Sequence, residues 1–114
     1  MAGMGSDDVI DGNAGNDTIC GNPDEDILTG DSGFDTINGG SETDGILGNG
    51  EVDIIHGGDQ GDDISAGIGN DTQVFGDMGP DNLFGEGGND DLSGNEQNDG
   101  IIGGGGTRHR PGWG

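Results

Sequence analysis

Gly12-Asn13-Ala14-Gly15-Asn16-Asp17-Thr18-Ile19-Cys20 is a nine-residue unit whose reading decides the fold. Its second half alternates. Thr18 and Cys20 flank Ile19, so an extended backbone sends the aliphatic side chain one way and its neighbours the other. Its first half carries two glycines, which reach backbone angles closed to other residues and so supply a turn. The unit is therefore a minimal strand plus a turn. Gly85-Glu86-Gly87-Gly88-Asn89-Asp90-Asp91-Leu92-Ser93 repeats it far down the chain.

Outward from these two copies, three columns run through nearly the whole sequence. Aspartate stands at Asp8, Asp17, Asp26, Asp35, Asp44, Asp53, Asp62 and Asp71, each nine residues after the last. After one step of ten come Asp81, Asp90 and Asp99. Two residues beyond each aspartate is an aliphatic side chain: Ile10, Ile19, Leu28, Ile37, Ile46, Ile55, Ile64, Leu83, Leu92 and Ile101. Asp71 alone waits three residues, for Val74, which places one extra residue near Gln73. Glycine opens the following turn at Gly12, Gly21, Gly30, Gly39, Gly48, Gly57, Gly76, Gly85, Gly94 and Gly103, and only Ala66 breaks that column. A biased acidic tract would be rich in these residues without holding them in register. Repetition is thus the organising fact.

A short strand and a turn every nine residues imply a coil in which two repeats, 18 residues, complete a circuit. Stacked circuits give an all-β fold of two parallel sheets, with the inward aliphatics meeting in a thin core.

The composition says what such a coil needs. The chain has 114 residues, enough for one small domain, yet only 25% are hydrophobic and 30 are glycine. Asp and Glu number 24 against two Lys and Arg, for a net charge of −22. A chain so poor in apolar groups and so self-repelling stays disordered alone in water. Nucleic acid is excluded as a partner, because phosphates would be repelled. The natural partner of so much carboxylate is a cation. Calcium, a hard ion, takes six to eight oxygen ligands from carboxylates and backbone carbonyls.

The unit G-x-x-G-x-D-x-U-x, with U aliphatic, closely resembles the RTX (repeats-in-toxin) hemolysin-type calcium-binding nonapeptide repeat. The resemblance covers residues 3–106 and leaves 107–114 as a C-terminal tail. It implies a right-handed parallel β-roll, a solenoid of about eleven nonapeptide repeats. It also implies calcium ions seated between loops stacked on the same side, each taking an aspartate from both loops. The aspartates then fall into two rows. Asp8, Asp26, Asp44, Asp62, Asp81 and Asp99 make the first, and Asp17, Asp35, Asp53, Asp71 and Asp90 the second. Their gaps allow at most nine ions, whose 18 positive charges would nearly cancel −22. Backbone carbonyls of loop glycines, among them Gly12, Gly15, Gly30, Gly33, Gly85 and Gly88, are the further candidate ligands.

The rows differ at the fourth loop position, where the family pattern has a second glycine and an unusual backbone angle is expected. The second row keeps glycine at Gly15, Gly33, Gly69 and Gly88 and loses it at Glu51. The first row has Ser6, Asp24, Glu42, Gln60 and Gln97 there and keeps only Gly79. This pattern favours the second row for calcium, at Asp17/Asp35 above all and at Asp71/Asp90. A last loop, Gly103 to Arg108, puts Arg108 where aspartate is expected and so ends the metal row.

The remaining features carry less chemistry. An EF-hand does not fit, since its loop needs flanking helices and this glycine density opposes them. No enzyme is expected: His56 points outward from a strand, His109 lies in the tail and Cys20 is a lone outward thiol that forms no internal disulfide. Thr18, Thr36 and Thr72 form a short outward threonine column interrupted by Ile54, the kind of surface that serves ice-binding solenoids. Ile27, Leu47, Phe75, Phe84 and Ile102 also point outward, a surface for contact with a neighbouring domain or for association. No apolar run reaches the roughly 18 residues of a membrane span. The N-terminus lacks the pattern of a cleaved secretory signal, and the tail does not resemble a type I secretion signal. The expected function is calcium binding by a secreted, extracellular repeat module that folds on calcium. The alternative is a structural, adhesive or ice-binding surface that calcium only rigidifies.

Overall fold

The computed structural model describes residues 1–96, 99–104 and the backbone of 108–110. The strands in chain order are β1 (Val9–Asp11), β2 (Thr18–Asn22), β3 (Ile27–Asp31), β4 (Thr36–Gly40), β5 (Gly45–Gly50), β6 (Ile54–Gly58), β7 (Asp63–Ile68), β8 (Gln73–Asp77), β9 (Asn82–Gly87), β10 (Asp91–Ser93), β11 (Gly100–Ile102) and β12 (Arg108–Arg110). Alternate strands join. One sheet runs β1-β3-β5-β7-β9-β11 and the other β12-β10-β8-β6-β4-β2. Every pairing is parallel. The chain is a β-solenoid of about five circuits, as the repeat pattern requires, and its Cα atoms span 34 × 31 × 13 Å.

Strands reach further than the alternating half of each unit. β2 takes in Gly21 and Asn22, and β5 runs on to Gly50. The loop openings stay in the ladder because their backbone groups find partners one circuit away. Gly12 N–H donates to Thr29 O at 2.8 Å, and Ser41 N–H to Asn22 O at 3.2 Å.

The core is the aliphatic column. Ile19, Leu28, Ile37, Ile46, Ile55, Ile64, Val74, Leu83 and Leu92 are at most 1% exposed, while Ile10 and Ile101 at the ends are half-buried. The two inner faces meet along a single file of side chains, so each contributes heavily. Ile46→Ala is expected to lower the unfolding free energy of the calcium-saturated protein by about 2–5 kcal/mol. Chemical denaturation checks this, and a loss under about 0.5 kcal/mol, the scale of a surface change, would contradict the core assignment.

The register corrects three details of the sequence reading. Asp53 N–H meets Asp71 at a spacing of 18, but Ile54 pairs with Gln73 at 19. The inserted residue is therefore Thr72, not Gln73. The outward column is then Thr18, Thr36, Ile54 and Gln73, so the threonine ladder loses Thr72 and holds two threonines. At the far end β12 sets Arg108 opposite Asp91 and His109 opposite Leu92. Arg108 thus lies one place past the aspartate column, and His109 belongs to a strand rather than to a loose tail. Thr107, Gln97 and Trp113 lie outside the described residues.

Candidate metal centre

Each column aspartate sits one residue before a strand, Asp71 alone two before because Thr72 intervenes, and turns inward beneath its loop. Asp26, Asp35, Asp44, Asp53, Asp62, Asp71, Asp81 and Asp90 are at most 2% exposed. Asp8, Asp17 and Asp99, near the ends, are half-buried. In both rows the Oδ1 of each aspartate accepts the backbone N–H of the aspartate one circuit earlier. Along the first row the distances from Asp8 to Asp99 are 2.7–2.8 Å. Along the second, from Asp17 to Asp90, they are 2.8–3.0 Å. The structure brings the eleven aspartates together as two continuous ladders.

The second carboxylate oxygen is the unusual atom. Oδ2 of Asp17, Asp26, Asp35, Asp44, Asp53, Asp62, Asp71, Asp81 and Asp99 is buried and has no hydrogen-bond partner. Burying one charged oxygen without a partner is expensive, and nine cannot stay so. Each needs a proton or a cation.

Loop glycines explain how those oxygens fit. A Cβ at Gly12, Gly21, Gly30, Gly39, Gly48 or Gly57 would stand 2.5–2.8 Å from the Oδ2 of its own loop's aspartate. The opening position favours glycine because the carboxylate lies across it. At the fourth position the constraint is the adjacent circuit: a Cβ at Gly33 would run into Gly15 O, and one at Gly88 into Gly69 O. Carbonyl oxygens therefore line the stacked loop edges close to the aspartates. Gly85 opens the loop before Asp90 from inside β9.

Backbone angles bear out the expectation for the fourth position in both rows. Gly15, Gly33, Gly69, Gly79 and Gly88 have φ between 110° and 136°. Asp24, Glu42, Gln60 and Glu51 sit at 87°, 78°, 73° and 74°. The residues with side chains hold the true left-handed conformation, at roughly 1–2 kcal/mol each, while glycine takes the wider angle. Asp24 also reaches the previous circuit, its Oδ2 accepting Ser6 N–H at 2.7 Å.

Two features escaped the sequence reading. The second loop position is left-handed as well, at Asn13, Asn22, Asp31, Asn49 and Asp77. Its signal is a column mostly of Asn, Asp and Gly, the residues most tolerant of positive φ, with Glu86 an exception at φ 68°. The fifth position carries a second polar ladder: Phe34 N–H donates to Asn16 Oδ1, and Asn89 N–H to Asn70 Oδ1. His56, by contrast, stays outside both rows. It stacks on Phe75 with ring centres 4.8 Å apart, and its Nδ1 lies 3.0 Å from Asp77 Oδ2.

Burial dominates the electrostatics. Loss of water pushes Asp44 and Asp53 up to about 6, Asp71 and Asp81 to about 7 and Asp62 to about 8. The backbone N–H from the previous circuit pulls each value partly back, and neighbouring carboxylates raise it again. Asp35 and Asp99 are raised for the same first reason.

Among the described residues no three Asp, Glu, His or Cys side chains converge on one point. An ion between two loops would thus take one or two carboxylates and complete its shell with carbonyl oxygens. An all-oxygen set with few charged ligands, free of imidazole and thiolate, suits a large hard cation.

Two aspartate ladders under glycine-opened loops, repeated along a parallel solenoid, define a repeat cation-binding module. The chain belongs to the RTX calcium-binding nonapeptide repeat family, whose model matches it in four copies, at residues 1–28, 21–53, 38–73 and 75–108. Membership supports calcium binding as the chain's general property. No curated protein and no solved structure matches it. No described helix is long and apolar enough to cross a membrane.

Proposed function

We propose that the chain is a non-enzymatic calcium-binding module, part of or derived from a secreted protein, whose solenoid folds as its aspartate rows fill with calcium. The observation that carries this reading is the set of nine buried, unpartnered Oδ2 atoms. Calcium held between stacked loops would supply the positive charge those oxygens lack. Asp17, Asp35, Asp53, Asp71 and Asp90 would hold it on one edge, with carbonyls of loops such as Gly12–Asp17 and Gly30–Asp35. Asp8, Asp26, Asp44, Asp62, Asp81 and Asp99 would do so on the other, for up to nine ions. The family's usual setting in secreted proteins supports an extracellular place, where calcium is plentiful. Exposed Ile27, Leu47, Phe84 and Ile102 on one sheet face support contact with a neighbouring domain.

Two single variants test the register. Asp35 is buried, accepts from Asp17 N–H and donates to Asp53, so it would serve ions on both sides of its loop. Asp63 is exposed on β7, where its Oδ1 accepts Asn82 Nδ2–H at 2.8 Å. Asp35→Ala is expected to weaken calcium binding by at least about tenfold, a loss that even an outer-shell partner can cause. Asp63→Ala should leave the titration close to that of the parent. Equal affinities for the two variants in calorimetry would contradict the assignment.

A further inference from the structure

The loop that ends in Asp71 departs from the repeat twice. Ala66 opens it, where the other loops open on glycine, and Thr72, the unmatched residue, follows it directly. In regular loops of the same row the space beside the opening Cα is already taken. A Cβ at Gly12, Gly30 or Gly48 would stand 2.8, 2.5 or 2.6 Å from Oδ2 of Asp17, Asp35 or Asp53. At Ala66 that methyl exists, and it is wholly buried in the core. Placed across its loop opening as in its row-mates, Asp71 Oδ2 would meet that methyl, so one of the two must give way. Its Oδ1 is still tied to Asp53 N–H at 2.8 Å, so any shift must fall on the other oxygen, which stays buried and without a hydrogen-bond partner. Beyond it, Thr72 stretches the spacing to Asp90 from 18 to 19, and the Asp71 N–H to Asp90 Oδ1 bond, at 3.0 Å, is the longest in either ladder.

We propose that Ala66 and Thr72 interrupt the second calcium row at Asp71, making the loop 66–71 the weak cation site of that edge. The proposal rests on the calcium reading above. Fourth-position glycine alone would favour Asp71/Asp90, but the methyl acts on the carboxylate itself and outweighs it. The row then fills along Asp17, Asp35 and Asp53 first. On the opposite edge Asp62 and Asp81 are also 19 apart, but their loops open on Gly57 and Gly76 and the bond between them stays at 2.8 Å, so that row lacks the methyl and keeps its ladder.

The test uses the full chain and two reciprocal variants, Ala66→Gly and Gly30→Ala. Each is titrated with calcium by calorimetry and with terbium by sensitised luminescence, and circular dichroism at saturating calcium checks the fold. Ala66→Gly should tighten the weakest class of sites by about tenfold, the scale on which an outer-shell change acts, or add an ion to the count. Gly30→Ala should impose the same defect on a regular loop and lose affinity. A parent that binds calcium, with Ala66→Gly indistinguishable from it, would overturn this proposal alone. A parent that binds none would overturn the calcium reading and this proposal with it. If Ala66→Gly fails to fold in calcium, Gly30→Ala decides: a weakened titration supports the proposal, and an unchanged one overturns it.

Discussion

In excess chelator at pH 8 the chain is expected to give the circular dichroism of a disordered polypeptide, and millimolar calcium to convert it cooperatively to β-structure. The reason lies in what the fold buries. Nine aliphatic side chains are fully removed from water, against the ordering of a chain with 30 glycines, each losing more backbone freedom than any other residue. The same fold confines eight aspartates at 2% exposure or less in a chain of net charge −22. At pH 8 those carboxylates have no compensating charge, because the chain has only two Lys and Arg. Calcium binding then becomes part of the folding free energy, since no preformed site exists in the unfolded chain. Magnesium should substitute poorly, because it demands tight octahedral geometry and holds its water. A compact β-spectrum that persists unchanged in chelator would refute the expectation.

Protons should do part of calcium's task. Asp44, Asp53, Asp62, Asp71 and Asp81 titrate at about 6 to 8 in the folded chain, against 3.8 for an ordinary aspartate. Folded-state values above the unfolded ones mean that the folded chain binds more protons, so its stability rises as pH falls. The contribution is complete below about pH 4 and is lost as pH climbs through the range from about 6 to 8. With chelator present, acidification from pH 8 to pH 4 should therefore induce β-structure and compaction without any metal. With calcium present the dependence reverses, since the ion needs the deprotonated carboxylate, and calcium affinity should fall as pH drops through the range from about 8 to 6. Far-ultraviolet circular dichroism along the two pH series, with and without calcium, is the measurement. A chelated chain that stays disordered at pH 4 would show that burial of Asp62 and its neighbours does not govern folding.

Much of this architecture was legible because period and chemistry coincide. Asp44, Ile46 and Gly48 recur in register, and a two-residue alternation inside a nine-residue unit admits few folds other than a stacked coil. The two aspartate rows followed from the 18-residue circuit. The strand ends were less legible, since Gly21 and Asn22 read as turn residues until a neighbouring circuit supplies their hydrogen bonds. The position of the inserted residue could not be read from Asp71 and Val74 alone, because either Thr72 or Gln73 satisfies the spacing; only the pairing of Ile54 with Gln73 chooses. The left-handed second loop position was hidden for another reason. Asn13, Asn22 and Asn49 look like generic turn residues, and glycine at the fourth position drew the whole conformational argument to itself.

Thr72 has a consequence for how the chain finds its alignment. A stack of identical circuits is self-similar: sliding one half against the other by 18 residues would still match aspartate to aspartate, glycine to glycine and aliphatic to aliphatic. Such a slip sacrifices only the strand pairing at the two ends, so a perfectly regular solenoid has many near-degenerate arrangements. The one odd step removes that degeneracy. Any slip that carries residues across Thr72 forces the extra residue to bulge from a ladder it does not fit or drives the aliphatic column toward solvent. A single irregular residue thus acts as a key that sets the number of circuits on either side, and it lets a monotonous sequence specify one structure.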